Sequence, residues 1–436
     1  MRTLISELPQ HIDSEVTISG WLFKRRLMGG LNFLVVRDRS GLVQILAKDE
    51  TEVAKLQGLQ NGTVLTVTGK VIKDERAPGG AELHDPVITV DTPVTEVMPI
   101  EIDKPINHKP ELLDTLYEHR VINVRNPHEQ MIFKIRATVL RLIREYLTKH
   151  EFIEIQTPKI LAGATEGGSE VFELDHFGKT ATLAQSPQFY KQIMVGAFER
   201  VFEIGSAFRA EPSTTTRHMS ELIMLDIEMG FVKDHSEVMD LVSDLVSHVV
   251  KEVYKIHESE LKILNAPKLV LDGDVPVYTV DEIHELYTKS GKQDTTQEKD
   301  LIPDEERFIN DYAKKHDNSE LVFASDFPIE AMKFYHQISP ENPKKVLWAD
   351  LIFRGIEIAT VPMREHNYDK LVDQMKKAGL DPTHSGYKYY LQAFKYGMPN
   401  HGGCGLGVDR LVQKIIGLHN VKEATLFPRD MQRLAP

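Results

Sequence analysis

Five short runs rich in β-branched residues, VTISGWLF, NFLVVRD, LVQILA, TVLTVTGKVI and PVITVDTPV, fall within the first hundred residues, separated by Gly, Asp and Asn turns. Runs this short, with alternating apolar positions, read as strands rather than helices. A lone hairpin is marginal in water, so five such strands must close on one another to bury an apolar face. The spacing therefore predicts a small β-barrel over residues 1–100.

Beyond it the apolar period changes. Residues 101–127 hold several prolines and the stretch PINHKPELLD, which predicts a linker. FKIRATVLRLIREYLTKH has apolar residues at helical spacing and runs into FIEIQTPKI, read as a strand ending at Pro158. Further strands are predicted at ATLAQ, RVFEIGSAFRA and LIMLDIEMGFV, and a long amphipathic helix over 235–256. Residues 273–320 are polar and charged and read as a surface insertion. The end returns to a strand (LWADLIFRGIEIAT), a helix (DKLVDQMKKAG) and a glycine-rich strand-to-helix passage, HGGCGLGVDRLVQKIIG. The class expected is α+β, with an OB-type barrel first and a second domain over 128–436.

At 436 residues the chain is too long for one core. No run of about 18 apolar residues marks a membrane span. The start, MRTLISELPQHIDSE, has no apolar signal core. A single cysteine, Cys404, excludes an internal disulfide and a cysteine-based zinc cluster. These features predict a cytoplasmic protein with no membrane partner. The net charge of −13 weighs against nucleic acid, but Lys24, Arg25 and Arg26, with Arg37 and Arg39, form a local basic patch.

Two stretches carry phosphate chemistry. FRAEPSTTTRH puts Arg209 and Glu211 on one face of a strand end, followed by a polar loop, Arg217 and His218. GLGVDRL supplies Arg410, with Gly405 and Gly407 permitting close backbone approach. Guanidinium groups suit polyphosphate because they are planar, permanently charged donor forks. The glycines are not a dinucleotide fingerprint, since the spacing is wrong and no βαβ unit surrounds them.

In this order, about 200 residues apart, these stretches resemble motifs 2 and 3 of class II aminoacyl-tRNA synthetases, and the helix and strand ending at Pro158 resemble motif 1. ATEGGSEVF, AQSPQFYKQ, MLDIEMGF, RGIEIAT, YGMPNHGGCGLG and LFPRD extend the likeness over nearly the whole chain, to the aspartyl/asparaginyl subgroup and its compact archaeal-type aspartyl form. The resemblance implies an OB-fold anticodon-binding domain and an antiparallel catalytic sheet flanked by helices. It implies a homodimer, ATP and Mg²⁺ as cofactors, and activation of L-aspartate to its adenylate for transfer to tRNA. It assigns Arg209 to the α-phosphate, Glu211 to the ATP site, and Arg217, His218 and Arg410 to the β- and γ-phosphates, with Gly407 beside them. Glu357 and Thr360 are assigned to the metal. Glu166, Gln188 and Asp226 are assigned to the substrate ammonium, Ser186 to a supporting role, and Lys191 and Arg364 to the side-chain carboxylate.

Aspartate and asparagine are nearly isosteric, so charge must separate them. TEGGSE and LDIEM resemble the aspartyl forms. There are departures. ATVPMREH replaces an SSGGQREH-like stretch, so Val361 and Pro362 stand where glycines are usual and are expected to fill the pocket edge. Met332 stands where lysine is common, and Leu222 where an aromatic stacks on adenine. On the barrel, Phe33 and Gln44 resemble anticodon-reading positions, and Arg25 and Arg26 are expected on phosphates. Phe23 and Pro78 replace the tryptophan and lysine of enzymes restricted to tRNA(Asp). The resemblance thus points to charging of both tRNA(Asp) and tRNA(Asn), with an amidotransferase converting the latter product. The competing readings are an asparaginyl-tRNA synthetase, a paralogue making a free product, and a non-catalytic RNA-binding protein.

Overall fold

The five β-branched runs all form strands: β1 (Glu15–Met28), β2 (Leu31–Arg37), β3 (Leu42–Ala47), β4 (Val64–Lys73) and β5 (Ala81–Thr92). They close into a barrel in the order β1-β2-β3-β5-β4, antiparallel except for the β3–β5 pair. The computed structural model describes residues 2–28, 31–106, 108–163, 170–212 and 215–436. It divides into two compact units, Met1–Gln130 and Met131–Pro436. In the first, Ile18, Leu22, Leu34, Val36, Val43, Ile45, Leu65 and Val67 fill the barrel. Strand alternation turns Phe33 and Gln44 outward from Leu34, Val43 and Ile45. A helix, α1 (Glu50–Ala54), is capped by Asp49. The stretch read as a linker carries two short helices, α2 (Leu113–Glu118) and α3 (Arg120–Asn123). Here a buried Arg120–Glu129 pair stands at 2.7 Å.

The second unit is built on an eight-stranded sheet in the order β12-β13-β14-β15-β16-β11-β10-β6. Its strands are β6 (Ile153–Glu154), β10 (Arg200–Phe208), β11 (Glu221–Gly230), β12 (Val277–Thr279), β13 (Leu321–Ser325), β14 (Trp348–Phe353), β15 (Ile356–Arg364) and β16 (His401–Gly407). A separate three-stranded sheet joins β7 (Ile160–Leu161), β8 (Glu173–His176) and β9 (Lys179–Leu183). The central pairings are antiparallel, and only the edges, β12 with β13 and β6 with β10, run parallel.

Helices α4 (Pro127–Lys149), α6 (His235–Ile256) and α12 (Val408–Ile416) pack Ile135, Val139, Val242, Val249, Leu411 and Ile415 on one face of the sheet. A fourth helix, α7 (Glu258–Ile263), adds Leu261 there. Leu225, Ile227 and Met229 of β11 belong to that core. Period-2 alternation then sends Asp226 and Glu228 to the other face, where α5 (Gln188–Phe198) lies. The apolar cluster beside it includes α5, α10 (Tyr368–Lys377) and α11 (Lys388–Lys395).

Three expectations change. FIEIQTPKI is not one strand: it pairs with β10 at Ile153–Glu154, Thr157 then turns aside to bond Glu203, Pro158 has no N–H to continue a ladder, and Ile160 begins β7 in the other sheet. LWADLIFRGIEIAT is a hairpin rather than one strand. Arg354 and Gly355 have φ of 48° and 72°, the pair of positive values that a tight two-residue reversal needs. Residues 273–320 are not a mere surface insertion. They form β12, α8 (Val280–Lys289) and α9 (Pro303–His316), which seal Val280, Ile283, Ile309 and Ala313 against Val322 and Ile352 of the sheet.

Candidate active site

A cleft of about 460 Å³ opens over β11, β15 and β16. It is lined by every predicted small-molecule residue that the structure describes: Ser186, Gln188, Lys191, Arg209, Glu211, Arg217, His218, Asp226, Glu357, Thr360, Arg364, Gly407 and Arg410. Glu166 lies outside the described residues.

Its floor is ionic and buried. Gln188, Lys191 and Gln192, at i, i+3 and i+4, share the buried face of α5. Lys191 Nζ donates to Asp226 Oδ1 and to the Cys404 carbonyl, both at 2.9 Å, and lies 3.4 Å from Glu228 Oε2. Arg364 donates to the same Glu228 through Nε at 2.9 Å and Nη2 at 3.3 Å. Burial by itself would raise the Glu228 carboxyl, but Arg364 and Lys191 outweigh it and hold it below its ordinary value. Two cations thus face two carboxylates. Burial pushes His401 down to about 4, so it is neutral. Its Nε2 accepts from Gln192 Nε2 at 3.0 Å, which places its proton on Nδ1, 2.8 Å from the Pro399 carbonyl. Gln192 Oε1 accepts from both Gln188 Nε2 and the Tyr390 hydroxyl at 3.0 Å, which fixes Gln188 from behind.

The glycines of HGGCGLG have their reason in this register. Gly403 pairs with Glu228 and Gly405 with Asp226. A Cβ on Gly403 would collide with the Glu228 carboxylate and the Ile227 carbonyl. Larger residues would close the floor.

The opposite wall is cationic. Arg209 and Glu211 lie 4.0 Å apart at the end of β10. His218 is held below its ordinary value by burial and by Arg410, Arg209 and Arg217, so near neutral pH it offers a hydrogen bond rather than a charge. Arg410 donates to the Glu357 carbonyl at 2.9 Å, and the Thr360 hydroxyl donates to Glu357 Oε1 at 3.0 Å. Across the β14–β15 register Asp350 stands opposite Thr360, and Trp348 Nε1 donates to Asp350 Oδ1 at 2.7 Å. A smaller cavity of about 120 Å³ shares Glu357 and Thr360 with the cleft and adds Asp300, Glu306 and Asp350. Burial, with Glu357 beside it, pushes the Asp350 carboxyl well above the usual range. Burial likewise holds Glu306 high despite its ion pair with Arg217. Glu357, Asp350 and the Thr360 hydroxyl supply the hard oxygen donors that a small dication takes, but among the described residues no three His, Cys, Asp or Glu side chains gather into a metal cluster.

The departures separate by alternation. Pro362 lines the cleft opposite Trp348, but Val361 faces the helix-covered core and fills no pocket edge. Lys333, not Met332, lines the cleft, as does Leu222. Four important residues escaped the sequence reading. Glu228 was accessible as the i+2 neighbour of Asp226. Asp350 and Glu306 depend on the unexpected hairpin and on α9. The fourth, Glu82, lies on the barrel.

There the parallel β3–β5 register sets Gln44 opposite Glu82, and Gln44 Nε2 donates to Glu82 Oε1 at 2.6 Å. His84 Nε2 lies 3.1 Å from Glu82 Oε2. Phe33 is half-buried, outside the barrel core, and pairs with exposed Arg26. A stacking face and an amide–carboxylate pair are what splayed bases require. Phe23 is half-buried and Pro78 exposed. Arg25 donates one N–H to the Leu56 carbonyl, and Arg37 is buried with its guanidinium over the Trp21 ring, so it is not part of an exposed patch.

Comparison with known proteins agrees with both units. Residues 113–431 match the family described as tRNA synthetases class II (D, K and N), and residues 16–91 match the OB-fold nucleic acid binding domain. The chain is 39% identical over 435 residues to an aspartate–tRNA(Asp/Asn) ligase of Archaeoglobus fulgidus, covering 98% of each. It is also 39% identical over 441 residues to an aspartate–tRNA(Asp) ligase of Pyrococcus abyssi, covering 99% of this chain and 98% of that one. Among solved structures, the asparaginyl-tRNA synthetase of Pyrococcus horikoshii with asparaginyl-adenylate superposes with a TM-score of 0.91 at 32% identity, over 100% of both chains. Among the described residues no helix is long and apolar enough to cross a membrane.

Proposed function

The chain belongs to the class II aminoacyl-tRNA synthetases of the aspartate, lysine and asparagine group, and on that premise we propose that it activates L-aspartate with ATP and charges tRNA(Asp), and tRNA(Asn) as well. The observation that carries the choice of amino acid is the pair of buried cations, Lys191 and Arg364, at one end of the cleft. Arg364 gives Glu228 two of its five N–H directions and still lines the cleft. A substrate carboxylate can accept from the donor directions that Asp226 and Glu228 leave over, whereas an amide would turn its own N–H groups toward those cations, at a cost of about 3 kcal/mol. Asp226, Gln188, Ser186 and Glu166 would take the ammonium group.

The reaction is in-line attack. A carboxylate oxygen of aspartate forms a bond to the α-phosphorus of ATP, the bond to the bridging oxygen breaks, and pyrophosphate departs with the electron pair. Arg209 would neutralise charge growing on the α-phosphate, and Arg217, His218 and Arg410 would hold the β- and γ-phosphates. No general base is needed, because the nucleophile is already ionised; positioning and charge neutralisation suffice. Bound Mg²⁺ would neutralise phosphate charge. Glu357 and Thr360, with Asp350 joining them, would hold it, and phosphate oxygens would complete its shell.

The test is pyrophosphate exchange with aspartate and with asparagine, then charging of purified tRNA(Asp) and tRNA(Asn). Exchange is expected with aspartate, and at least about a hundredfold less with asparagine. Exchange with asparagine alone would overturn the reading, and none with either would favour a paralogue or a binding protein.

The acceptance of tRNA(Asn) rests on Phe23 and Pro78, with Phe33, Gln44 and Glu82 reading bases and Arg25 and Arg26 near phosphates. The F23W/P78K double variant should lose tRNA(Asn) charging about tenfold relative to tRNA(Asp), the loss of roughly one base contact. An unchanged ratio in kcat/KM for the two tRNAs would remove those positions from the argument. An amidotransferase acting on Asp-tRNA(Asn) would then be a functional partner. The domain roles follow: anticodon binding by 1–100, a hinge over 101–127, catalysis by 128–436 as a homodimer, in the cytoplasm.

Leu222 stands where adenine would stack. The L222F variant should lower KM for ATP by about two- to tenfold, because a ring pair contributes about 0.5–1.5 kcal/mol beyond area. Initial-rate titrations of ATP check it.

A further inference from the structure

The segment that read as a surface insertion reaches the phosphate wall. Helix α9 approaches the β14–β15 turn because Gly355 has no side chain: a Cβ there would stand 3.2 Å from Arg307 Cα and 2.9 Å from its Cγ. That approach brings Glu306 Oε2 to 2.7 Å from Arg217 Nη1, while Arg217 Nη2 lies 3.3 Å from the Gly355 carbonyl. Arg217 itself stands on the loop between β10 and β11, with no strand pairing to hold it. Both acceptors come from outside that loop, and both partners of the ion pair are largely buried, 18% and 14% exposed. Arg217 nevertheless lines the cleft.

We infer that Glu306 is a positioning residue for Arg217, holding its guanidinium from behind so that its remaining N–H groups face the triphosphate before ATP arrives. A long side chain on a loop otherwise loses rotamer freedom when it grips a ligand, and fixing it beforehand improves binding of that ligand alone. The planar fork of arginine makes this possible, since two N–H groups can be anchored while others remain for phosphate. The inference rests on the reading of Arg217 as a triphosphate ligand.

The experiment is pyrophosphate exchange by the full chain for Glu306→Gln, Arg217→Ala and the double variant, with ATP and aspartate titrated separately. Glutamine keeps the shape and removes the charge. Glu306→Gln is expected to raise KM for ATP about tenfold, the scale of one charge-assisted hydrogen bond. KM for aspartate and kcat should stay within about twofold, a split that general loosening of the fold would not produce. If Glu306 acts only through Arg217, the double variant will be no worse than Arg217→Ala. With Arg217→Ala impaired, an unchanged KM for ATP in Glu306→Gln overturns the inference. So does a lowered one, which would mean that the carboxylate competes with phosphate for Arg217. Additive effects in the double variant overturn it as well, by placing the action of Glu306 elsewhere. An Arg217→Ala variant with normal KM for ATP would instead defeat the reading of Arg217 itself, and the inference with it.

Discussion

Replacing Glu228 by alanine is expected to lower the folding free energy by about 3–5 kcal/mol, the range for breaking a buried ion pair by removing one partner. Glu228 is fully enclosed, and it serves two equally enclosed cations, Arg364 and Lys191. Removing it leaves Arg364 over the Tyr335 ring, 5.3 Å from the centroid, with no carboxylate fork. Lys191 keeps Asp226. The E228A/R364M double variant should therefore recover much of the stability, because it deletes the stranded charge as well. Urea denaturation of the three proteins measures this, and a double variant no better than E228A would refute the charge explanation. The pH dependence gives a second check. The Glu228 carboxyl is held below its ordinary value of 4.5 in the folded protein. Its contribution is therefore full above that value and is lost as the pH falls through and below it. The gap between wild type and E228A should narrow only in acid.

The second large effect is catalytic. Arg209→Ala should slow aspartate-dependent pyrophosphate exchange by about 10²–10³-fold, the usual consequence of removing one preorganised group from developing charge. Its side chain is 37% exposed and its carboxylate neighbour, Glu211, is 4.0 Å away. Little folding energy is at stake, so the denaturation midpoint should hardly move. A rate within a few-fold of wild type would remove Arg209 from the transition state, whatever its place in the cleft.

Much of the architecture was legible before any coordinates. The barrel strands follow from alternation of β-branched residues, and the helix over 235–256 ends where its apolar period ends. These features are local, because a period of two or 3.6 is written in consecutive residues. The candidate residues could likewise be named from motifs, since FRAEPSTTTRH and GLGVDRL keep their charged groups close in sequence. Val361 shows the limit of that reading. Its neighbour Pro362 reaches the cleft, and one step along the strand turns Val361 into the core.

What the sequence alone determined, then, was which side chains carry charge and which face of each element is apolar. Tertiary structure decided which charges meet. Lys191 and Asp226 are 35 residues apart, Arg364 and Glu228 are 136 apart, and Arg217 reaches Glu306 across 89. The glycines opposite Glu228 and Asp226 acquire their purpose only through the β11–β16 register. The physical reason is the difference in range. Backbone periodicity is set by neighbours, whereas a buried charge is stable only beside a partner that the folded chain brings to it.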